Sequence, residues 1–369
     1  MTLLLLFGSH QLMTSQHQMK VNANFDPISK EITVEQEINY INNTSISIEV
    51  IYLNDWISSY STSGTPLVKK FLNEYNTQLY IAKEKDRGRT EIESITTAEG
   101  DPIKFERHKD QQDFLKIILE QPLGQNEAIS IQLKYVLKIQ NARFTGYGFN
   151  KNGNFILNAW YLTPAVFDGL EWKLYSNLSF DDPYAAKSNV DLIVHTPPTY
   201  NVYSNLKRSE LIKSNIGFQY HFSGQGVKDH KIHITNEDFK RIEIGSNEIV
   251  TNISHKTILA EKEREIISRV NAFLKQNLHT INEDKILLSK IDLKKNDLYG
   301  LALLPDFLSP FPKEFKYELA IAKNLIKIHL DQHLTIDPRT EYWLKNGFQM
   351  LLFLKYLDTY YPDQKLIGK

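Results

Sequence analysis

The stretch from Phe315 to Pro362 constrains the fold more than any other part of this sequence, because it reads as two helices in succession. Apolar residues recur at helical intervals from Leu319 to Leu330, which is the pattern of an amphipathic helix. Asp337-Pro338 then interrupts the pattern, since a residue that precedes proline is disfavoured in helical conformation. A second helix is predicted from about Thr340 to Tyr360, where a broad apolar face returns. The sequence therefore predicts two adjacent and largely buried helices.

A motif at the start of the second helix carries a family resemblance. Residues 343–348 read Trp-Leu-Lys-Asn-Gly-Phe, and the helix ends near Tyr360-Tyr361-Pro362. This run resembles the W-L-N-E-G-F segment of the zinc aminopeptidases of the aminopeptidase N type, which are gluzincin metallopeptidases. In that family the glutamate of the segment is the third zinc ligand, and an H-E-x-x-H helix precedes it. The family's spacing of nineteen positions, counted back from Asn346, places the H-E-x-x-H window on residues 323–327.

The residues at these positions differ from those of a zinc site. Lys323 and Lys327 stand where the resemblance implies two histidines, and Asn346 stands where it implies the glutamate. Zinc takes imidazole, thiolate or carboxylate ligands, whereas a lysine with an ordinary pKa of about 10.4 is an ammonium ion that repels a dication. Asn324 replaces the family's general base and has no basic group to accept a proton from water. We therefore expect a degenerate site with no metal, no cofactor and no catalytic residue.

A second family motif is expected upstream, in the segment from Tyr299 to Pro305. The family carries a G-x-M-E-N edge motif in this region, and its glutamate binds the free amino terminus of the substrate. If Gly300 corresponds to the glycine of that motif, Leu303 replaces the glutamate. The resemblance then implies a substrate cleft near Gly300, Leu301 and Ala302 that lacks its carboxylate.

His329 and His333 form a rival candidate metal site. Two histidines four positions apart on a helix have imidazoles on one face, and Asp337 or Glu341 could add a carboxylate. However, Leu330 follows the first histidine where a catalytic base would be expected, and the pair lies just before the break in the helix. An ordinary exposed or capping pair is the favoured interpretation, and a displaced zinc site is the alternative.

The first part of the chain has the alternating pattern of half-buried strands. Polar and apolar residues alternate from Glu31 to Tyr40 and again from Ile46 to Leu53, and the residues between them favour a turn. This pattern predicts an antiparallel hairpin, and Asn42-Asn43-Thr44 also resembles the amino-terminal domain of the same family. The predicted fold class is α+β: an antiparallel, saddle-like β-sandwich domain over residues 19–235, followed by the first part of a thermolysin-like α/β catalytic-type domain over residues 236–369.

Aromatic residues and glycines are concentrated in the middle of the chain. The run includes Tyr147, Phe149, Trp160 and Trp172, with glycines at 146, 148 and 153. Aromatic side chains readily fill the cores of β-sheet domains. A sheet core with tight turns is therefore the favoured interpretation, and a surface that stacks on a sugar or a peptide is the alternative.

Composition excludes several classes of function. The chain has 369 residues and a formal net charge of -1, which creates no field to attract nucleic acid. It contains no cysteine, so disulfides, thiolate metal sites and a cysteine nucleophile are excluded. No segment is long and apolar enough to span a bilayer. Residues 1–18 begin with a short apolar run followed by small and polar residues, which predicts a signal peptide and export to the periplasm or the cell surface. A mobile amino terminus or a first strand is the alternative.

These observations define three hypotheses about function. The first is a divergent, inactive relative of the zinc aminopeptidases whose cleft binds a peptide, carbohydrate or protein partner, or that acts as a scaffold. The second is an active zinc aminopeptidase that uses displaced ligands such as His329 and His333. The third is a non-functional fragment, because the sequence stops at Lys369, before the helical remainder in which the family places its catalytic tyrosine.

Overall fold

The computed structural model describes residues 16–108, 111–180, 182–228, 230–245, 247–255, 258–278, 285–298, 309 and 311–363. The predicted signal peptide lies almost wholly outside the described residues. Its last two residues, His17 and Gln18, begin the first strand of the sheet domain.

The first part of the chain consists mainly of strands. They are β1 (His17–Asp26), β2 (Glu31–Ile41), β3 (Ile48–Asn54), β4 (Arg89–Thr97), β5 (Lys104–Arg107), β6 (Phe114–Leu123), β7 (Ala128–Lys138), β8 (Gly148–Phe149), β9 (Phe155–Asn158), β10 (Thr163–Pro164), β11 (Val166–Phe167), β12 (Trp172–Lys173), β13 (Ser188–Thr196), β14 (Asn201–Ser204), β15 (Lys207–Lys213), β16 (Phe218–Val227) and β17 (Lys231–Thr235). A short helix, α1 (Pro66–Asn73), and two 3-10 turns, Trp56–Tyr60 and Glu84–Asp86, lie between β3 and β4.

These strands form one large sheet and three smaller ones. The large sheet has the order β15-β16-β13-β1-β2-β7-β4, and its pairs are antiparallel except for the parallel pair β1–β13. Two four-stranded sheets have the orders β10-β3-β6-β5 and β14-β17-β9-β8, and β11-β12 is a ribbon. One apolar cluster contains side chains from the large sheet and from both four-stranded sheets. This packing of sheet on sheet confirms the sandwich-like first part.

The predicted hairpin of the second and third strands is wrong. β2 pairs with β1 and β7, whereas β3 pairs with β6 and β10 in a different sheet. Alternation specifies which face of a strand is buried but not which strand is its neighbour. The connection is fixed by the Asn42 side chain, whose Nδ2 donates to the carbonyls of Ile46 at 2.7 Å and Leu123 at 2.9 Å. It carries the chain from one layer to the other.

The second part of the chain combines a small sheet with helices. Its elements are β18 (Lys240–Ile244), β19 (Asn247–Thr251), α2 (Ala260–Leu278), β20 (Lys285–Leu288), α3 (Lys290–Lys295), α4 (Lys313–His333) and α5 (Tyr342–Tyr360). The three strands form a mixed sheet, with β18–β19 antiparallel and β19–β20 parallel. Their apolar side chains join those of α2, α4 and α5 in a second cluster. The α+β class is therefore confirmed, while the predicted domain limit between residues 235 and 236 stays a prediction.

Among the described residues, no helix has both the length and the apolar character that crossing a membrane requires. The predicted periplasmic or cell-surface location also stays a prediction.

Candidate functional site

Helices α4 and α5 run antiparallel, and three contacts define their register. The Tyr356 hydroxyl donates to Glu318 at 2.5 Å, and Gln349 Nε2 donates to the carbonyl of Lys323 at 3.4 Å. Near the other end, Lys345 forms an ion pair with Asp331. Residues 327 and 346 lie between the second and third of these contacts. The fold therefore brings the positions singled out in the sequence onto facing stretches of two helices.

Lys323 is buried within this helix pair. Its side chain is only 4% exposed, and Nζ donates to the backbone carbonyl of Asp297. Burial lowers the pKa of Lys323 to about 8, although the nearby Asp297 carboxylate acts in the opposite direction. This ammonium group is held by a carbonyl, and at neutral pH it has no lone pair to offer a metal ion.

Asn324, at the position of the family's general base, makes structural hydrogen bonds. Its Nδ2 donates to the carbonyls of Ala320 at 2.9 Å and Asn296 at 3.3 Å. Its oxygen accepts from Asn296 Nδ2 at 3.4 Å. Both ends of the amide therefore join α4 to the residue that follows α3.

Lys327 takes part in an ion-pair bridge between the two helices. Its Nζ lies 2.5 Å from Asp331 Oδ2, and Lys345 of α5 pairs with the other carboxylate oxygen. Burial alone would raise the pKa of Asp331, but the two ammonium groups hold it below its usual value. We name Lys327, Asp331 and Lys345 the lysine–aspartate bridge, because one carboxylate forms an ion pair with a lysine from each helix.

The donor set at these positions does not fit a zinc ion. Asn346, on the first turns of α5, is half-buried and offers an amide, while Lys323 and Lys327 offer ammonium groups already engaged with oxygen atoms. Zinc sites need three or four anionic or imidazole ligands. In the part of the chain that the structure describes, no group of three or more His, Cys, Asp or Glu side chains is arranged to hold a metal ion.

The rival histidine pair is divided between the interior and the surface. His329 is fully buried at 0% exposure, whereas His333 is exposed and is the last residue of α4. The carboxylates considered as further ligands have other partners: Asp337 accepts from Tyr175 at 2.6 Å, and Glu341 accepts from the Asp337 backbone N–H at 2.7 Å. These four residues are not arranged as a ligand set.

The predicted cleft at Gly300, Leu301 and Ala302, together with Leu303, lies outside the described residues. A small cavity that the sequence pattern does not predict is lined by Trp56, Ile57, Tyr60, Gln140, Tyr147, Asn158, Asn177, Ser179 and Lys295. The sequence feature that could indicate this cavity is Gly148. Its φ is +124°, and a Cβ at this position would lie 2.0 Å from the Gln140 carbonyl oxygen. Only glycine permits this approach of two backbone segments.

Comparison with known proteins gives a clear result for the fold alone. No family model matches the sequence, and no curated protein matches it. The M1 zinc metallopeptidase of Deinococcus radiodurans superposes with a TM-score of 0.55 at 9% identity, over 93% of this chain and 69% of its own. The chain has the fold of an M1 zinc metallopeptidase.

Two further M1 structures give the same result. A two-domain M1 zinc metallopeptidase mutant bound to L-tryptophan has a TM-score of 0.53 at 9% identity, over 94% of this chain and 72% of its own. A Deinococcus radiodurans M1 mutant bound to a Tyr-Ser-Ala substrate has a TM-score of 0.52 at 10% identity, over 93% and 70%. The aminopeptidase resemblance seen in the sequence is therefore supported at the level of the M1 fold, while the state of the zinc site in this chain rests on its own residues.

Proposed function

We propose that this chain is a catalytically inactive relative of the M1 metallopeptidases that keeps a peptide-binding or scaffolding role, and that it is exported. The observation that supports this proposal most is the set of side chains at 323, 324, 327 and 346: two ammonium groups and two amides. A metal-bound water with a lowered pKa and a general base are the two parts of metal-assisted hydrolysis, and this set supplies neither.

Peptide binding is the retained property that the fold favours. The M1 structures that share this fold include a mutant bound to a Tyr-Ser-Ala substrate. Binding a peptide requires a shaped surface with hydrogen-bonding groups but no metal. An M1-type protein that lost only its metal-dependent catalysis would therefore still bind peptides.

A hydrolysis assay tests the catalytic part of the proposal. Purified protein is incubated with a panel of aminoacyl-anilides, with added zinc and with a chelator, and the Deinococcus radiodurans enzyme serves as positive control. We expect no hydrolysis above the protein-free blank under either condition. Zinc-dependent hydrolysis that the chelator abolishes would contradict the proposal. If that hydrolysis were lost in the His329→Ala and His333→Ala variants, the result would favour an active zinc site that uses these two histidines as ligands.

The hypothesis of a non-functional fragment has its own test. A protein with two formed apolar cores should unfold in one or two cooperative transitions, each followed by circular dichroism and by tryptophan fluorescence. A broad, non-cooperative transition would favour the fragment hypothesis over both others.

A further inference from the structure

Helix α5 presents an apolar face to solvent on the side opposite its buried residues. Trp343 is 73% exposed and Leu351 is 52% exposed, and Leu344 and Met350 are half-buried. Side chains three or four positions apart on a helix are neighbours on its surface, so these four residues surround Gly347. We name Trp343, Leu344, Gly347, Met350 and Leu351 the α5 stripe. Clustered exposed apolar side chains that include a tryptophan are typical of an interaction surface.

Gly347 lies at the centre of the α5 stripe and leaves a depression there. It is exposed, and a Cβ at this position would meet no atom within 4 Å, so no contact in the described part of the chain requires a glycine here. Glycine weakens a helix relative to alanine. A residue without a side chain does, however, allow a second backbone to approach closely. The glycine therefore favours a partner helix that crosses α5 at this point.

The α5 stripe is symmetric about Gly347. Trp343 and Met350 are two helical turns apart on one flank, and Leu344 and Leu351 are two turns apart on the other. Two antiparallel helices related by a two-fold axis bring the same flank of each copy together. Crossing at Gly347 therefore places Trp343 beside Met350 of the second copy, and Leu344 beside Leu351 of the second copy. The stripe is thus complementary to itself, as an isologous contact requires.

The exposed charges of α5 also fit an antiparallel second copy. Glu341 at the amino end and Lys355 near the carboxyl end are both exposed, and they lie close to four turns apart on the flank of Leu344. In an antiparallel pair, each Glu341 lies near Lys355 of the second copy. Asp358 is exposed as well and lies near the amino end of the second helix, where the helix dipole is positive. A parallel pair would place like charges at the same level instead.

We propose that the α5 stripe is a self-association surface through which two copies of this chain pair antiparallel, with their α5 helices crossing at Gly347. Trp343 contributes the largest apolar side chain to each half of the contact. The surface lies on the outer side of the helix pair, and the proposal does not depend on the proposed peptide-binding function.

Sedimentation velocity of the full chain over a range of concentrations tests whether this pairing occurs. A single helix pair is a small interface, so we expect a reversible monomer–dimer equilibrium with a dissociation constant on the order of 10 µM. A chain that stays monomeric at concentrations about twentyfold above this value would overturn the proposal. An open series of oligomers would overturn it too, since an isologous contact closes at two copies.

Substitutions locate the contact on the α5 stripe. Trp343→Glu should raise the dissociation constant about tenfold or more. Ile216→Glu is the matched control, because Ile216 is 94% exposed in the turn between β15 and β16, and this variant should dimerise as the wild type does. Both positions are exposed, so the monomer should keep its fold, which circular dichroism checks. Equal dissociation constants for Trp343→Glu and the wild type would overturn the proposal.

Gly347→Leu separates specific pairing from general hydrophobic adhesion. The added side chain has room in the monomer, but it would hold the two helices apart at their crossing point. We expect the dissociation constant to rise about tenfold. Non-specific association of apolar surfaces would instead become stronger when a leucine is added, and that result would overturn the proposal.

Disulfide cross-linking tests the direction of pairing, because the chain has no cysteine of its own. In the antiparallel pair, position 344 lies beside position 351 of the second copy, whereas the two copies of position 344 are about 9 Å apart along the helix axis. A disulfide needs Cβ atoms about 4 Å apart. We expect an equimolar mixture of Leu344→Cys and Leu351→Cys chains to cross-link, and each variant alone to cross-link much less. Efficient cross-linking of Leu344→Cys alone would overturn the antiparallel assignment.

Discussion

The contact between helices α4 and α5 includes ion pairs made by single charged side chains. In the lysine–aspartate bridge, the Asp331 side chain is 31% exposed and the Lys345 side chain only 13% exposed, so solvent screens this pair less than an exposed one. The sequence shows that lysines and asparagines occupy these positions. It does not show that Asp331, four residues beyond Lys327, would also form an ion pair with a lysine of the second helix, because that partner comes from tertiary packing.

Replacing Asp331 should reveal the contribution of the bridge. Asp331→Asn leaves two partly buried ammonium groups facing each other, and we expect it to lower the free energy of unfolding by about 1–3 kcal/mol at pH 7. The measurement is urea denaturation. The control is Glu35→Gln, which removes the exposed pair of Lys134 with Glu35, whose side chains are 59% and 55% exposed. Its effect should stay below about 0.5 kcal/mol.

The difference between wild type and Asp331→Asn should depend on pH in a defined direction. The two lysines hold the pKa of Asp331 below its usual value in the folded state. A depressed folded-state pKa stabilises the protein above the pKa of the unfolded chain, and this contribution is lost as the pH falls through the folded-state pKa. The difference should therefore be full at pH 7 and shrink below about pH 4. A difference that grows on acidification would contradict this account.

Helices could be predicted from periodicity more reliably than strand partners. The second predicted helix, from about Thr340 to Tyr360, matches α5 at Tyr342–Tyr360, and the periodic run from Leu319 to Leu330 lies within α4 at Lys313–His333. Helical hydrogen bonds are local, so a window of sequence contains most of the determinants. Strand pairing is non-local, so a window of sequence does not contain its determinants. The alternating pattern therefore predicts one hairpin for β2 and β3, although the two strands lie in different sheets. The cavity lined by Trp56 and Lys295 cannot be predicted from a sequence window for the same reason, since its walls come from distant segments.

Gly148 at the start of β8 should be intolerant of any side chain. A Cβ there would lie 2.0 Å from the Gln140 carbonyl oxygen, and φ is +124°. We expect Gly148→Ala to lower the free energy of unfolding by about 3 kcal/mol or more, through backbone displacement and conformational strain together. Gly100→Ala is the control, because Gly100 has a φ of +95° but no atom within 4 Å of the added Cβ. It should cost about 1 kcal/mol, and equal effects in the two variants would contradict the clash.

The two parts of the molecule each have a large apolar cluster. They are joined by a small apolar cluster of Tyr203, Phe239, Val250 and Leu287 and by polar contacts. The loop between α4 and α5 supplies several of them: Arg339 pairs with Asp182 and donates to the carbonyl of Ser176 at 2.7 Å. Lys228 Nζ donates to the carbonyl of Leu334 at 2.7 Å. These charged residues therefore help to hold the helix pair against the sheet domain.

Arg339 should be the residue of this junction whose loss is most costly. Asp182 is 5% exposed, so Arg339→Ala leaves a buried carboxylate without its guanidinium, and we expect a loss of about 2–4 kcal/mol. Thermal and urea unfolding measure it. The double variant Arg339→Ala with Asp182→Asn should recover part of the loss, because it removes the buried charge. If the two single effects simply add in the double variant, the pair is not coupled.

At the scale of the whole molecule, we propose an M1-type fold that does not bind zinc, and the zinc content of the purified protein tests this proposal most directly. Protein purified without chelator and then dialysed against micromolar zinc is analysed by inductively coupled plasma mass spectrometry. The account predicts well below one zinc ion per chain, with no difference between wild type and a Lys323→Ala, Lys327→Ala double variant. One zinc ion per chain, lost when residues 323, 327 or 346 are replaced, would contradict it.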